Sequence, residues 1–220
     1  MPMNHFFSSM RFGTELMYTV IIVFLCFLIY YKTKEIYDLT KHKGIHYFRN
    51  TFLFFGLAYA SRFFLYLFLI AGMTMDIYFP RRIFMPLTMV PVSYLSTIAI
   101  FYLAYSLIWK KIKYRNFIVF SNTLAILVSL VALTSKSHII VSFLQLLLLV
   151  FAVLIITAKK HKKVKINVRA LYLLVSLFWL LNLFVLGSRR FLSLEVKIVF
   201  QLISVVVFIV IYYKVNKWIK

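Results

Sequence analysis

The sequence predicts an all-α fold, a polytopic bundle of seven transmembrane helices forming one membrane domain over residues 1–220. Three observations carry that prediction. Hydrophobic residues make up 64% of the chain and its mean hydropathy is +0.94, well above the ~45–50% apolar content of soluble domains. Apolar runs of about 18 residues or more, the length that crosses a ~30 Å hydrocarbon layer, recur from end to end. Only short basic segments separate them, which leaves no stretch of ~50 residues for a soluble domain.

The first run extends from Tyr18 to Tyr31 after MPMNHFFSSMRFGTELMY. No small-residue cleavage site follows and the next segment is basic, so it is expected to be a retained first span at 14–31 and not a cleaved leader. The segment after it, KTKEIYDLTKHKGIHYFRN, places Glu35 and Asp38 among lysines, with Lys34 and Asp38 at helical spacing. The first helix is therefore expected to continue beyond the membrane as a polar extension that stops at Gly44. Its surface suits either plain solvation or the docking of a cytoplasmic partner. His42 and His46, spaced by four, fit a solvated face, and no metal site is predicted.

The second span, 51–73, lies in YFRNTFLFFGLAYASRFFLYLFLIAGMTM and has Arg62 at its centre. A charge at the midplane costs ~2.5–3.5 kcal/mol even on lenient scales, which makes Arg62 a site candidate. Gly56 and Ala60 form a small-residue patch one turn earlier, suited to close helix approach. The third span, 84–109, carries Pro86 and Pro91 next to Ser93 and Tyr94. Each proline removes a backbone donor, and the resulting bend can open space between helices. The fourth span, 117–134, has Ser121, Ala125, Ser129 and Ala132 in a packing seam. The remaining spans are expected at 138–158, 170–187 and 196–213.

Seven spans put the termini on opposite sides. One side collects Lys32, Lys34, Lys41, Lys43 and Arg49, Lys110, Lys111, Lys113 and Arg115, Lys159, Lys160, Lys162, Lys163, Lys165 and Arg169, and Lys214, Lys217 and Lys220, 18 in all. The other has 7: Arg11, Arg81, Arg82, Lys136, Arg189, Arg190 and Lys197. The excess of Lys and Arg belongs in the cytoplasm, so the N-terminus is expected outside and the C-terminus inside. The net charge of +21 would suggest nucleic acid in a soluble protein. Here the bases are split into clusters between apolar runs, so the expected partners are anionic lipid headgroups at the cytoplasmic face and not nucleic acid.

Placing Arg49 over Arg169 aligns FRNTFLFFGLAYASRFF with VRALYLLVSLFWLLNLF without gaps. Leu53, Leu57 and Phe64 fall on Leu173, Leu177 and Phe184, Tyr59 on Trp179, and Arg62 on Asn182, the strongly polar residue of the sixth span. This supports a three-plus-one-plus-three parallel repeat with the fourth span as linker.

Enzyme signatures are missing: the sequence has no HExxH, no CxxC and no GxxxxGK[ST]. A single cysteine, Cys26, excludes an intrachain disulfide and a cysteine-based metal site. No cofactor is implied. The polar inventory of the spans is Arg62, Asn182, Asn122, Gln145, Gln201, hydroxyls and tyrosines. No acid is predicted at the depth of Arg62, so it is expected to be solvated by a water-filled cavity, by hydroxyls and amides such as those of Tyr94, Asn182 and Gln201, or by an anionic ligand, with Tyr59, Tyr94, Asn182 and Gln201 as the other candidate ligand-binding residues. The alternative is that Arg62 snorkels to Glu15 or Asp76 near the outer span ends.

Seven spans with an external N-terminus suggest rhodopsin-like receptors, but no lysine lies deep in the seventh span and no acid in the third. The sugar-transporter class of the same span count would need a proline-glutamine signature, which does not occur. The aromatic helix end with Tyr30, Tyr31 and Tyr37, followed by LTKHKGIHYFRNTFLFFGLAYASRF, resembles a seven-helix sensor-type module found at the N-terminus of prokaryotic histidine kinases and as free-standing archaeal membrane proteins. The resemblance covers about a quarter of the chain. It implies a non-enzymatic sensor whose output, with the sequence ending at Lys220, passes to a separate cytoplasmic partner. The alternative expectation is a small-solute transporter or channel with a polar site at Arg62 and Asn182. A lipid-processing enzyme would need Glu15, Asp76, His138 or Glu195 gathered at the outer side.

Overall fold

The computed structural model describes residues 9–74, 81–135, 137–158, 166–187 and 193–217. They form α1 (Ser9–Thr40), α2 (Lys43–Thr74), α3 (Arg81–Ile108), α4 (Tyr114–Ser135), α5 (His138–Ala158), α6 (Ile166–Gly187) and α7 (Leu194–Asn216). There is no strand among the described residues. Six of these helices are long and apolar enough to cross a membrane, whereas the apolar part of α6, Arg169–Val185, is shorter.

The helices neighbour one another around a closed ring. α1 packs on α2 and α7, α3 on α2, α4 and α5, and α6 on α5 and α7. Large apolar side chains cover the outside: Phe24, Phe64, Phe68, Phe120, Phe143 and Leu154 are all more than half exposed. In water such a surface would aggregate, whereas a bilayer solvates it.

α1 runs past its predicted span to Thr40, as the polar extension requires, but the stop lies elsewhere than Gly44. Lys41 adopts the left-handed conformation (φ 51°) and its N–H donates to the Tyr37 carbonyl at 2.7 Å. That closes α1 in the way a glycine usually does. Gly44 instead sits buried in the first turn of α2, where a Cβ would stand 3.0 Å from the Ser106 carbonyl oxygen. Its smallness lets α2 approach the end of α3. The ion pairs of the extension are Lys32 with Glu35 at 3.1 Å and Lys41 with Asp38 at 3.6 Å, not Lys34 with Asp38. Asp38 is drawn to Lys41 by the turn that ends the helix.

Gly56 marks the crossing of α1 and α2, since a Cβ there would lie 3.0 Å from the Cβ of Cys26. A larger side chain has to push the helices apart, and overpacking of this kind costs ~1–3 kcal/mol. Gly56→Leu is therefore expected to lower the thermal unfolding temperature in detergent, with Gly56→Ala falling between it and the parent. Equal melting of all three proteins would contradict the close crossing.

The core stripe of α2 runs Phe48, Phe52, Phe55 and Tyr59, spaced by four and three as one helix face requires. Facing it are Phe178 and Trp179 of α6 and Phe208 of α7. Ring centroids are 4.2 Å apart for Phe55 and Trp179, 5.9 Å for Phe52 and Phe208, and 4.3 Å for Phe178 and Phe208. Lipid tails are as apolar as these rings, so the gain comes from close packing and edge-to-face contact, ~0.5–1.5 kcal/mol per pair. On α4 the predicted seam of Ser121, Ala125, Ser129 and Ala132 is buried, with Ser129 Oγ 3.4 Å from Ser93 Oγ of α3. α3 stays helical through both prolines.

Candidate functional site

The apolar stripes that fill the core turn polar toward the end of the bundle where α1 begins, here termed the N-terminal face. On α2 the face of Phe55 and Tyr59 continues to Arg62 and Tyr66, both buried. On α7 the face of Phe208, Ile211 and Val215 is preceded at the same spacing by Lys197, Gln201 and Ser204. α1 brings Glu15, Tyr18 and Thr19 to the same level, and α6 brings Asn182. Helical periodicity alone aims these groups at one another once the four helices meet.

They form two stacked layers. In the outer layer, Arg62 Nη2 donates to Glu15 Oε2 at 2.8 Å, and the Tyr66 hydroxyl donates to the same oxygen at 2.6 Å. Tyr66 in turn accepts from Arg62 Nε and Nη2 at 3.0 and 2.8 Å. Lys197 Nζ donates to Glu15 Oε1. One carboxylate thus serves two cations and joins α1, α2 and α7. The Arg62, Glu15 and Lys197 side chains keep 11%, 15% and 16% of their surface, so the layer is shielded from solvent yet open enough to be reached. Low exposure strengthens each charge-assisted bond and makes an uncompensated charge costly.

In the inner layer, one turn deeper, Asn182 Oδ1 accepts from the hydroxyls of Tyr18 at 2.6 Å and of Tyr59. Asn182 Nδ2 donates to the Phe178 carbonyl at 2.8 Å and to Ser204 Oγ at 3.2 Å. Tyr18 and Ser204 hydroxyls lie 2.8 Å apart. All four side chains are at most 6% exposed, so each hydrogen bond here replaces water that the interior does not supply.

Arg62 meets no acid at its own depth but reaches Glu15, the first of the two acids that the snorkelling alternative names. α2 extends over Lys43–Thr74, which moves Arg62 off its midpoint. At ~1.5 Å per residue, Arg62 stands about 18 Å from the end of α2 and Glu15 about 9 Å from the start of α1. Two long side chains reaching toward each other span that offset. Asp76, the other acid within predicted reach, lies outside the described residues.

Of the sequence candidates, the fold brings Arg62, Tyr59 and Asn182 together. Gln201 is buried on the same face of α7, between Lys197 and Ser204. Tyr94 belongs elsewhere: its hydroxyl donates to Asn122 Oδ1 of α4 at 2.6 Å. A separate polar cluster between α3 and α5 has Gln145 Nε2 donating to Ser96 Oγ and, at 3.4 Å, to the Ser93 carbonyl. Glu195 is exposed in the first turn of α7, and the His138 side chain lies outside the described residues. Among the described residues no group of three or more His, Cys, Asp or Glu is placed to hold a metal ion. The imidazoles of His42 and His46 pack instead against Trp109 and Tyr37.

The residues missed in the sequence were Tyr18, Tyr66, Lys197 and Ser204, whereas Glu15 was one of the two acids named as within reach of Arg62. Their signal was helical spacing: Tyr66 is four residues from Arg62, and Lys197, Gln201 and Ser204 extend the register of Phe208.

No protein-family model matches the chain, and no solved structure matches it. The chain is similar to a protein of Archaeoglobus fulgidus described as "Uncharacterized protein". The two are 34% identical over 209 residues, an alignment covering 92% of this chain and 91% of the relative.

Proposed function

Since the chain belongs to the family of the uncharacterized Archaeoglobus fulgidus protein, we propose that it is a non-enzymatic sensor or receptor-like module of the cell membrane. In this reading it spans the membrane seven times, α6 included, with the N-terminal face outside and the lysine-rich face in the cytoplasm. It binds a small or lipidic ligand between its helices and signals to a separate cytoplasmic partner, as the resemblance to histidine-kinase membrane modules implies.

The observation that supports this reading is the Glu15 junction. One carboxylate holds α1, α2 and α7 together through Arg62, Tyr66 and Lys197. A ligand that binds Arg62 or Lys197 better when Glu15 is displaced shifts the balance toward a freed α7, and it acts only through that difference in affinity. α7 has 23 residues, about 34 Å of helix, so a shift at the junction is carried to the other face. The polar pairs act as a latch because each broken bond leaves a buried group unpaired.

The test is thermal stability of the purified protein across a panel of metabolites and lipids, combined with capture of cytoplasmic proteins by the full chain. Stabilisation by a ligand that Arg62→Ala abolishes is the expected result. No stabilisation by any compound, with no captured partner, overturns the reading.

A second reading, a small-solute transporter or channel, is favoured by the meeting of Arg62 and Asn182, aligned in the sequence repeat, in adjacent layers of one interior. It calls for uptake of anionic solutes into proteoliposomes that Arg62→Ala abolishes. Absence of flux argues against it.

A further inference from the structure

The hairpin between α1 and α2 holds a cation that the protein itself does not neutralise. Arg49 of α2 lays its guanidinium over the rings of Tyr30 and Tyr37 of α1, at 4.9 and 5.5 Å from their centroids. Its Nη2 lies 3.3 Å from His46 Nδ1, while its buried Nε has no hydrogen-bond partner. Both acids at that end of α1 are already engaged, Glu35 by Lys32 and Asp38 by Lys41. Lys41 Nζ also stands 5.7 Å from the Tyr37 centroid, so two cations share one ring. Among the described residues, then, Arg62 has a carboxylate and Arg49 has none.

Arginine has donors only, so in the contact with Arg49 the His46 Nδ1 accepts and the ring proton sits on Nε2. The guanidinium is held over two aromatic rings and is half-buried, with one hydrogen bond to protein. Such a pre-oriented fork matches the paired oxygens of a phosphoryl group better than a flexible ammonium does. The neighbouring Lys34, Lys41 and Lys43 are exposed and raise the local concentration of anions. A partly desolvated guanidinium gains more from an anion than these solvated lysines.

From this geometry we infer that the α1–α2 hairpin is a phosphoryl-binding site, with Arg49 as its bidentate anchor and Tyr30 and Tyr37 as its walls. It is distinct from the Glu15 junction at the opposite face. The phosphoryl group comes from an anionic phospholipid at the membrane boundary or from a soluble phosphate ester, and the experiment separates the two.

The full chain is placed in phosphatidylcholine nanodiscs, and binding of phosphatidylglycerol is followed by native mass spectrometry and thermal unfolding. Arg49→Gln is expected to weaken binding ~10-fold or more, the loss of a charge-assisted hydrogen-bond pair. Lys113→Gln, which removes the same charge from the exposed α3–α4 turn, should leave binding within ~2-fold, as a rim charge does. Stabilisation by inorganic phosphate or glycerol phosphate without phosphatidylglycerol, lost in Arg49→Gln, assigns the site to a soluble ester. If Arg49→Gln does not fold, Arg49→Lys retains the charge over the rings without the fork, and ~5-fold weaker binding is expected. Equal effects of Arg49→Gln and Lys113→Gln overturn the site, as does undiminished binding in Arg49→Lys. Either result would leave Arg49 as a cation–π brace between α1 and α2.

Discussion

Glu15→Gln is expected to destabilise the protein by about 3 kcal/mol or more, because it takes from the shielded Arg62 and Lys197 the carboxylate they share. Removing one member of a buried pair costs ~3–5 kcal/mol, most of it the desolvation of the charge left behind. Glutamine keeps the shape and a hydrogen-bond acceptor but not the charge, so the loss isolates electrostatics from packing. The measurement is helix content against temperature or denaturant in detergent. Glu35→Gln, at a solvent-exposed pair with Lys32, is the control and should cost at most ~1 kcal/mol. The double variant Glu15→Gln with Arg62→Gln should recover part of the loss, since fewer cations then lack a counter-ion. A Glu15→Gln protein as stable as the parent would mean that the junction is not a closed ion pair in solution.

Asn182→Leu has the second largest expected effect, about 2–3 kcal/mol, because it leaves the hydroxyls of Tyr18 and Tyr59 without their shared acceptor and Ser204 without its amide donor. Tyr59→Phe removes one donor and should cost about 1 kcal/mol, with Asn182 still satisfied by Tyr18, Ser204 and the Phe178 carbonyl. A double-mutant cycle between Tyr59 and Asn182 is expected to show a coupling of about 0.6 kcal/mol or more, the average scale for polar pairs in membrane bundles. Simple additivity would show that the Tyr59 hydroxyl finds another partner and that the inner layer is not one network.

Much of this organisation was legible in the residues. The small side chains of α4 marked its buried seam, and the acids and lysines after Tyr31 announced a helix longer than its apolar run. The candidate trio of Arg62, Tyr59 and Asn182 was legible because few polar residues occupy long apolar helices, and each such residue has to be satisfied by something. Tyr94 was drawn into that set by its position beside Pro91, yet it faces α4 and bonds Asn122. Gly44 misled for a related reason. A glycine after a polar helix looks like a stop, but here the tight requirement was the approach of α2 to Ser106, and Lys41 took the left-handed position.

By itself the sequence determined that this chain is a bundle of apolar helices with its cations gathered at one set of connections, and that a charge is held within the second helix. Those are local properties: run length, composition and spacing add up residue by residue along one helix. Only the tertiary structure decided that Glu15 neutralises Arg62, that Lys197 shares the same carboxylate, and that Arg49 is left to aromatic faces and His46. Such pairings depend on the rotation and axial offset of one helix against another. In helices apolar on nearly every side, the 3.6-residue period leaves both quantities open until the side chains pack.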